Sequence, residues 1–333
     1  MNGPVESAAR PVSARAAGAA AAVAMAWLAL GCAAPAAARA ADEWSLAPAA
    51  LAASDVVTPP RVGEEGATLQ VSFGGIADSD VGDEGAAYGM NWTAVELGLG
   101  SLRSSLTVMN FEWDHPERFM QRPDGKDPWD RLYQLNVGWT HRGMMSERAM
   151  YELIIGAVSS FERQLADSHA GYAGGYAVYA VDERWTLTAG ALYSRHAKVS
   201  TQFDFLPIVG VMWNQQAASG LSFAIGFPST DLTWRFNEKA SLRLEISSIE
   251  GGIYRLADRA EAPQEAYVEF RSTTAMLRFD AEVGNRVTVH VGISRALDRE
   301  LRLYDRQGSA LDKQAVEERI GVSAGASWAF GAR

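Results

Sequence analysis

The chain has 333 residues, of which 48% are hydrophobic and 21% charged, with a formal net charge of −10. An acidic chain of this kind lacks the basic surface that nucleic-acid phosphates require, so nucleic acid is excluded as a partner. Cys32 is the sole cysteine, and beyond residue 40 no stretch reaches the roughly 18 unbroken apolar residues of a membrane helix.

Arg10 and Arg15 precede an alanine-rich apolar stretch over 17–38. Ala38-Arg39-Ala40 is a small-x-small cleavage site. This is the layout of a secretory signal peptide over 1–40. Leu28-Ala29-Leu30-Gly31-Cys32 also resembles a lipoprotein box with its leucines one place off the usual pattern. Cleavage after Ala40 leaves an exported chain with no thiol, hence no disulfide. Residues 41–66, with Pro59-Pro60 and few periodic apolar positions, read as a periplasmic lead-in or plug.

From residue 67 onward apolar side chains recur on every second position, the period of a strand with one apolar face. Fourteen candidate strands follow: 67–75, 89–99, 102–113, 131–141, 149–161, 171–181, 185–195, 206–214, 220–227, 230–237, 240–248, 266–283, 286–295 and 319–331. Many have about the 9–11 residues that a tilted strand needs to cross a bilayer. The connections alternate in length. Those at 76–88, 114–130, 162–170, 196–205, 249–265 and 296–318 are long. Those at 100–101, 142–148, 182–184, 215–219, 237–239 and 284–285 are short, and Pro228-Ser229 breaks the rule. Short turns at one end and long loops at the other are the habit of outer-membrane barrels. Lipid offers no water to backbone groups, so a spanning sheet has to close on itself. The last strand, with Trp328 and Phe330 near its end, would then pair with the first. The predicted fold is all-β: a closed antiparallel transmembrane β-barrel over 67–333, of about 14 strands, with 12 as the lower count. A soluble periplasmic β-protein is the competing reading, and extraction without detergent would support it.

The stretch from Leu206 to Phe236 resembles an uncharacterised family of Gram-negative outer-membrane β-barrel proteins. Leu206-Pro207-Ile208, Gly210, Trp213, Gly226-Phe227-Pro228, Leu232 and Trp234 carry the resemblance. It implies a barrel filling most of the mature chain and brings no catalytic residues.

The five histidines, at 115, 141, 169, 196 and 290, show no metal-ligand spacing, so neither a metal nor a cofactor is expected. His196 with Ser194 or Ser200, and His290 with Ser294, could be cast as the pair of a lipid-modifying hydrolase, the weakest of the functional readings. If the apolar positions face lipid, the alternate positions line the lumen. These include Glu152, Thr186, Thr188, Thr233, Arg235, Arg243, Glu245, Arg278, Asp280, Glu282, Thr288 and His290. Such a mixed-charge wall suits the passage of a small polar solute through an outer-membrane pore. The alternative is a non-conducting barrel that binds or supports partners through its long loops, with no enzymatic activity. The partners expected of either are outer-membrane lipid and the barrel-assembly machinery.

Overall fold

A computed structural model describes residues 66–121, 126–199, 205–258, 265–284 and 286–331. The expected leader, Cys32 and the lead-in before Gly66 lie outside these residues. The strands are β1 (Gly66–Val81), β2 (Ala86–Leu99), β3 (Leu102–Asp114), β4 (Arg131–Ser146), β5 (Ala149–Phe161), β6 (His169–Ala180), β7 (Trp185–His196) and β8 (Phe205–Trp213). They continue as β9 (Gly220–Phe227), β10 (Ser229–Asn237), β11 (Ala240–Arg255), β12 (Tyr267–Val283), β13 (Val287–Tyr304), β14 (Ala310–Ala315) and β15 (Ile320–Gly331). A 3-10 helix spans Pro116–Gln121.

Fourteen of these strands form a closed antiparallel ring. Each pairs with the next through β13, β13 then pairs with β15, and β15 returns to β1. Gly66 lies opposite Gly331 and Ile76 opposite Gly321, so the terminal strand closes the barrel. β14 stands outside the ring and pairs with the upper part of β13.

The pleat sorts side chains by solvent. Leu135, Val137 and Trp139 on β4 face outward and are exposed, whereas Gln134 between β4's outward positions is buried. Val289, Val291 and Ile293 on β13, and Ile320, Val322 and Phe330 on β15, continue the outward apolar face. Aromatic groups mark its edges. Trp139, Trp185, Trp234, Phe236, Phe279 and Phe330 are exposed toward the turn end, and Phe73, Tyr193 and Phe205 toward the loop end. Trp213 stacks on Phe223 at 5.6 Å, and Trp185 meets the same ring edge-on at 5.9 Å. An apolar belt with two aromatic edges is the surface a bilayer solvates.

Three of the expected long loops are strand. β1 runs on to Val81 and turns back within four residues, so 76–88 is a tall hairpin. β11 extends to Arg255, and β13 extends to Tyr304 before returning as β14. The reason is visible at one level of the wall. The ladder slips between Ser247 and Glu250 on β11, and between Thr273 and Thr274 on β12 opposite Ala296 and Asp298 of β13. A row of two β-bulges, on β11 and β13 either side of β12, therefore crosses the wall at one level, and each bends its strand. Another lies between Ile76 and Ser79 of β1. Above the row, β11 to β14 form a four-stranded sheet that lies across the loop end. Its β14 edge meets β1 through Val81 opposite Val316, with Gly82 N–H donating to Ala315 O at 2.8 Å and Glu317 N–H to Asp80 O at 2.8 Å. Its β11 edge reaches the far wall, where Arg255 pairs in parallel with Phe161 of β5 and Glu162 N–H donates to Arg255 O at 2.8 Å.

A hydrophobic core fills the space beneath this cap. Tyr254, Leu256, Val268, Leu301 and Leu303 of the cap pack on Tyr88, Phe111, Phe119, Trp129 and Leu132 of the opposing rim. Trp129 has no exposed surface and sits 5.1 to 6.0 Å from the rings of Trp113, Phe119, Phe270 and Phe111. At about 1.5–3 kcal/mol for each large apolar side chain buried, the cap is held down by far more than thermal energy. Arg299 is buried in it and satisfied: it donates to Ser79 Oγ at 2.7 Å, Tyr88 OH at 3.1 Å and Glu317 O at 3.2 Å.

Candidate functional site: a polar cavity at the turn end

Below the bulges, even-numbered residues of β12 and β13 and odd-numbered residues of β10, β11 and β15 point into the barrel. They enclose a polar cavity of about 330 Å³, lined by Gln70, Gln215, Asp231, Thr233, Arg235, Ser241, Arg243, Arg278, Asp280, Thr288, His290 and Ser327. Most of these residues lie within a few positions of the strand ends nearest the chain termini, so the cavity belongs to the turn end.

The charges in the cavity are arranged in opposed pairs. Arg243 Nη2 donates to Asp231 Oδ2 at 3.3 Å, and its Nε lies 3.7 Å from Glu245 Oε2. Arg278 Nε stands 3.0 Å from Asp280 Oδ1 on its own strand. Arg235 Nη1 donates to Ser222 Oγ at 2.7 Å. Arg243 and Arg278 are directly opposite each other in the ladder, as are Asp280 and His290. Burying charges without partners is costly, and these ion pairs hold the charged side chains in place. Gly325 on β15 serves His290, because a Cβ there would fall 2.6 Å from the imidazole. The small inward face of the last strand thus makes room for the ring.

Of the residues singled out in the sequence, Arg235, Arg243, Arg278, Asp280 and His290 line this one cavity. Glu245 joins it through Arg243. Glu282 lies two pairs beyond Asp280 toward the turn end, opposite Thr288. Glu152 is elsewhere, on β5, bonded to Arg142 of β4. Sequence reasoning placed Arg142 in a turn and missed this pair. It also missed Asp231, although the alternation Asp231, Thr233, Arg235 puts all three on one face.

The opposite half of the interior is apolar. Ile154, Tyr172, Tyr176, Leu192, Leu206, Ile208 and Met212 of β5 to β8 form a buried cluster that reaches Ala224 on β9. Tyr172 fits there because its ring lies over two glycines: a Cβ at Gly156 would come within 2.3 Å of it and one at Gly138 within 2.5 Å. The interior is therefore two-sided, with the charged cavity on β10 to β13 and a mainly apolar cluster on β5 to β9, beside which Glu152 is buried and paired with Arg142.

Of the serine–histidine pairs named from the sequence, Ser200 lies outside the described residues; among the described residues, no hydrogen bond joins His196 to Ser194 or His290 to Ser294. His196 Nδ1 accepts from the N–H groups of Lys198 and Val199 at 3.2 and 3.1 Å, and the ring turns edge-on to Tyr267 of the cap. Ser194 Oγ and His196 Nε2 are each buried without a hydrogen-bond partner. A different pair does meet: Ser159 Oγ lies 2.6 Å from His169 Nδ1, across β5 and β6 on the exposed face. Among the described residues no group of three or more His, Cys, Asp or Glu side chains could hold a metal ion.

A closed antiparallel ring with a lipid-solvated belt and a partly polar interior is a transmembrane β-barrel of the outer-membrane type. No family model matches the chain, and no curated protein does. Among solved structures it is similar to an outer-membrane channel from Pseudomonas putida F1, at 9% identity and a TM-score of 0.43, over 86% of this chain and 100% of that one. It is also similar to the toluene transporter TbuX of Ralstonia pickettii, at 10% identity and a TM-score of 0.38, over 80% and 90% of the two chains. The KdgM porin matches at 6% identity and a TM-score of 0.34, over 79% and 99%.

Proposed function

We propose that this barrel sits in the bacterial outer membrane and passes small polar solutes through its mixed-charge lumen. The observation that carries the reading is the cavity in which Arg235, Arg243 and Arg278 face Asp231, Asp280 and His290. Opposed charges in a narrow, hydrated space bind a polar solute weakly and at several points, which lets it enter and leave. By the habit of short periplasmic turns in such barrels, the turn end, and so the cavity, would face the periplasm. Reconstitution in a planar bilayer tests the reading. Discrete current steps are expected, and neutralising Arg278 (Arg278→Ala) is expected to shift the reversal potential in a salt gradient toward cation preference. A folded barrel without current in any condition rejects it.

The cap favours a second reading, a non-conducting barrel with a surface role. It predicts no current and loss of partner binding when the 114–130 connection is shortened.

A further inference from the structure

On β2, β3, β4 and β7 the outward series passes, toward the loops, from the lipid belt to a hydrogen-bond donor. Thr93 gives way to Asn91 on β2, Val108 to Asn110 on β3, Tyr133 to Arg131 on β4 and Tyr193 to Arg195 on β7. Between them, Ser159 of β5 and His169 of β6 lie opposite each other on the same face, joined at 2.6 Å. These residues form a collar over neighbouring strands. Asn110 Nδ2 donates to Asn91 Oδ1 at 2.8 Å, and Arg131 Nε donates to Asn110 Oδ1 at 2.7 Å, so the Arg131 guanidinium is braced from one side. His169 and Arg195 are diagonal neighbours, because Gly171 opposes Arg195 in the ladder. The collar positions include Arg131 and Arg195 and no carboxylate, on a chain with a net charge of −10. Glu112, Asp130 and Asp167 lie beyond the collar toward the loops, and Asp167 Oδ1 is 3.5 Å from Lys198 Nζ. On β13 the corresponding cation, Arg295, is paired with Glu318 at 3.0 Å.

Arg131 and Arg195 stand eight and ten residues along their strands from Trp139 and Trp185 of the turn-end aromatic edge. At about 3.3 Å per residue and a tilt of about 45°, that is a rise of roughly 19–23 Å. The collar therefore sits at the upper boundary of a hydrocarbon layer of about 25 Å, and its positions face sideways, where lipid headgroups lie. We propose that the collar seats the phosphate-bearing headgroup of an outer-leaflet glycolipid. Arg131 and Arg195 take phosphate oxygens, to which the guanidinium fork is matched in shape and charge, and Asn91, Ser159 and His169 bond sugar hydroxyls. The occupant is a lipid and not free phosphate, because an apolar surface lies directly beneath the donors. Below Ser159, His169 and Arg195 the outward positions Ala157, Gly171, Ala173 and Ala191 are small, which leaves a shallow lane for an acyl chain beside exposed Ile155 and Tyr193. The inference rests on the reading of the barrel as an outer-membrane protein and is independent of conduction.

The test is a titration of the full chain, in micelles of a neutral detergent, with diphosphoryl lipid A, read as bound lipid by native mass spectrometry. A neutral galactolipid and inorganic phosphate are the comparison probes. The double variant Arg131→Gln, Arg195→Gln is expected to bind lipid A about tenfold or more weakly than the wild type. Each single exchange should weaken binding by less, and these guard against misfolding of the pair. Arg295→Gln, on β13, should leave the affinity unchanged. Lipid A affinity that is the same in the wild type and in all the collar variants overturns the seat and leaves the membrane barrel standing. Galactolipid bound as tightly as lipid A overturns the role of the phosphate. Inorganic phosphate that displaces lipid A at equal concentration overturns the lipid as occupant. A chain that folds and stays in solution without detergent or lipid overturns both the seat and the membrane reading.

Discussion

Gly251 carries a backbone conformation that side chains rarely adopt, and its missing Cβ is replaced by the carbonyl of Phe270. Gly251→Ala is therefore expected to cost about 1–3 kcal/mol or more, read as a lower denaturant midpoint for the cap. His196 makes a different demand. Burial, with the nearby His169, lowers its pKa from 6.5 to about 4, while Asp167 pulls the other way. It is the last residue of β7, above the belt edge marked by Tyr193. The folded chain holds the ring neutral, whereas the unfolded chain protonates it near 6.5. Stability from this group is thus full above pH 6.5, declines as pH falls to 4 and is flat below. The loss amounts to about 3 kcal/mol. Urea titrations in micelles at pH 7 and pH 4.5 should show a pH dependence that His196→Gln reduces. In the cap, a hydrogen bond from Arg255 and the charges of Arg255 and Arg306 hold the Asp258 carboxyl below its usual range.

At the scale of the element, alternation could be read wherever a strand had lipid on one face and lumen on the other. Val287 to Ile293 is such a stretch, and its strand was placed to within a residue at its start. Above Arg295 the same strand has no lipid beside it. Leu301 and Leu303 still alternate with Glu300 and Arg302, but charge at Arg295, Asp298, Arg299 and Arg302 made the segment look like a loop. The cap was hidden for the same reason on β11, where Gly251-Gly252 reads as a break in sequence and is a bend in space. The inward charges were legible because membrane alternation assigns faces without tertiary information. Their pairing was not, since Arg243 finds Asp231 across a register that sequence does not fix. The cap core gives a test at this scale. Trp129→Ala removes its central ring and should cost about 3–5 kcal/mol. Amide exchange should quicken across 250–255 and 298–304 while the belt of β4 to β7 stays protected, because the two regions share few contacts.

For the whole molecule, the belt is the quantity that separates a membrane barrel from a soluble one. Val291 lies at its middle on β13 and is 55% exposed. Val291→Lys should destabilise the barrel in lipid by about 2–4 kcal/mol, whereas Thr288→Lys on the inner face of the same strand should cost much less. Equal costs at the two positions would argue that the outer face never meets hydrocarbon. The wall itself is uneven. β12 and β13 have 17 and 18 residues, but β8, β9 and β10 have nine, eight and nine. Nine residues at about 3.3 Å each, tilted by about 45°, rise roughly 21 Å. Nine residues sit at the lower bound of what a tilted strand needs to cross, and this rise is a little under a hydrocarbon layer of about 25 Å. Lipid chains against this sector must shorten or splay to keep their ends out of water, so the leaflets pinch together on one side of the protein. In a bilayer this sector is expected to draw the leaflets into a dimple, so shorter-chain lipids should stabilise the barrel more than longer-chain ones.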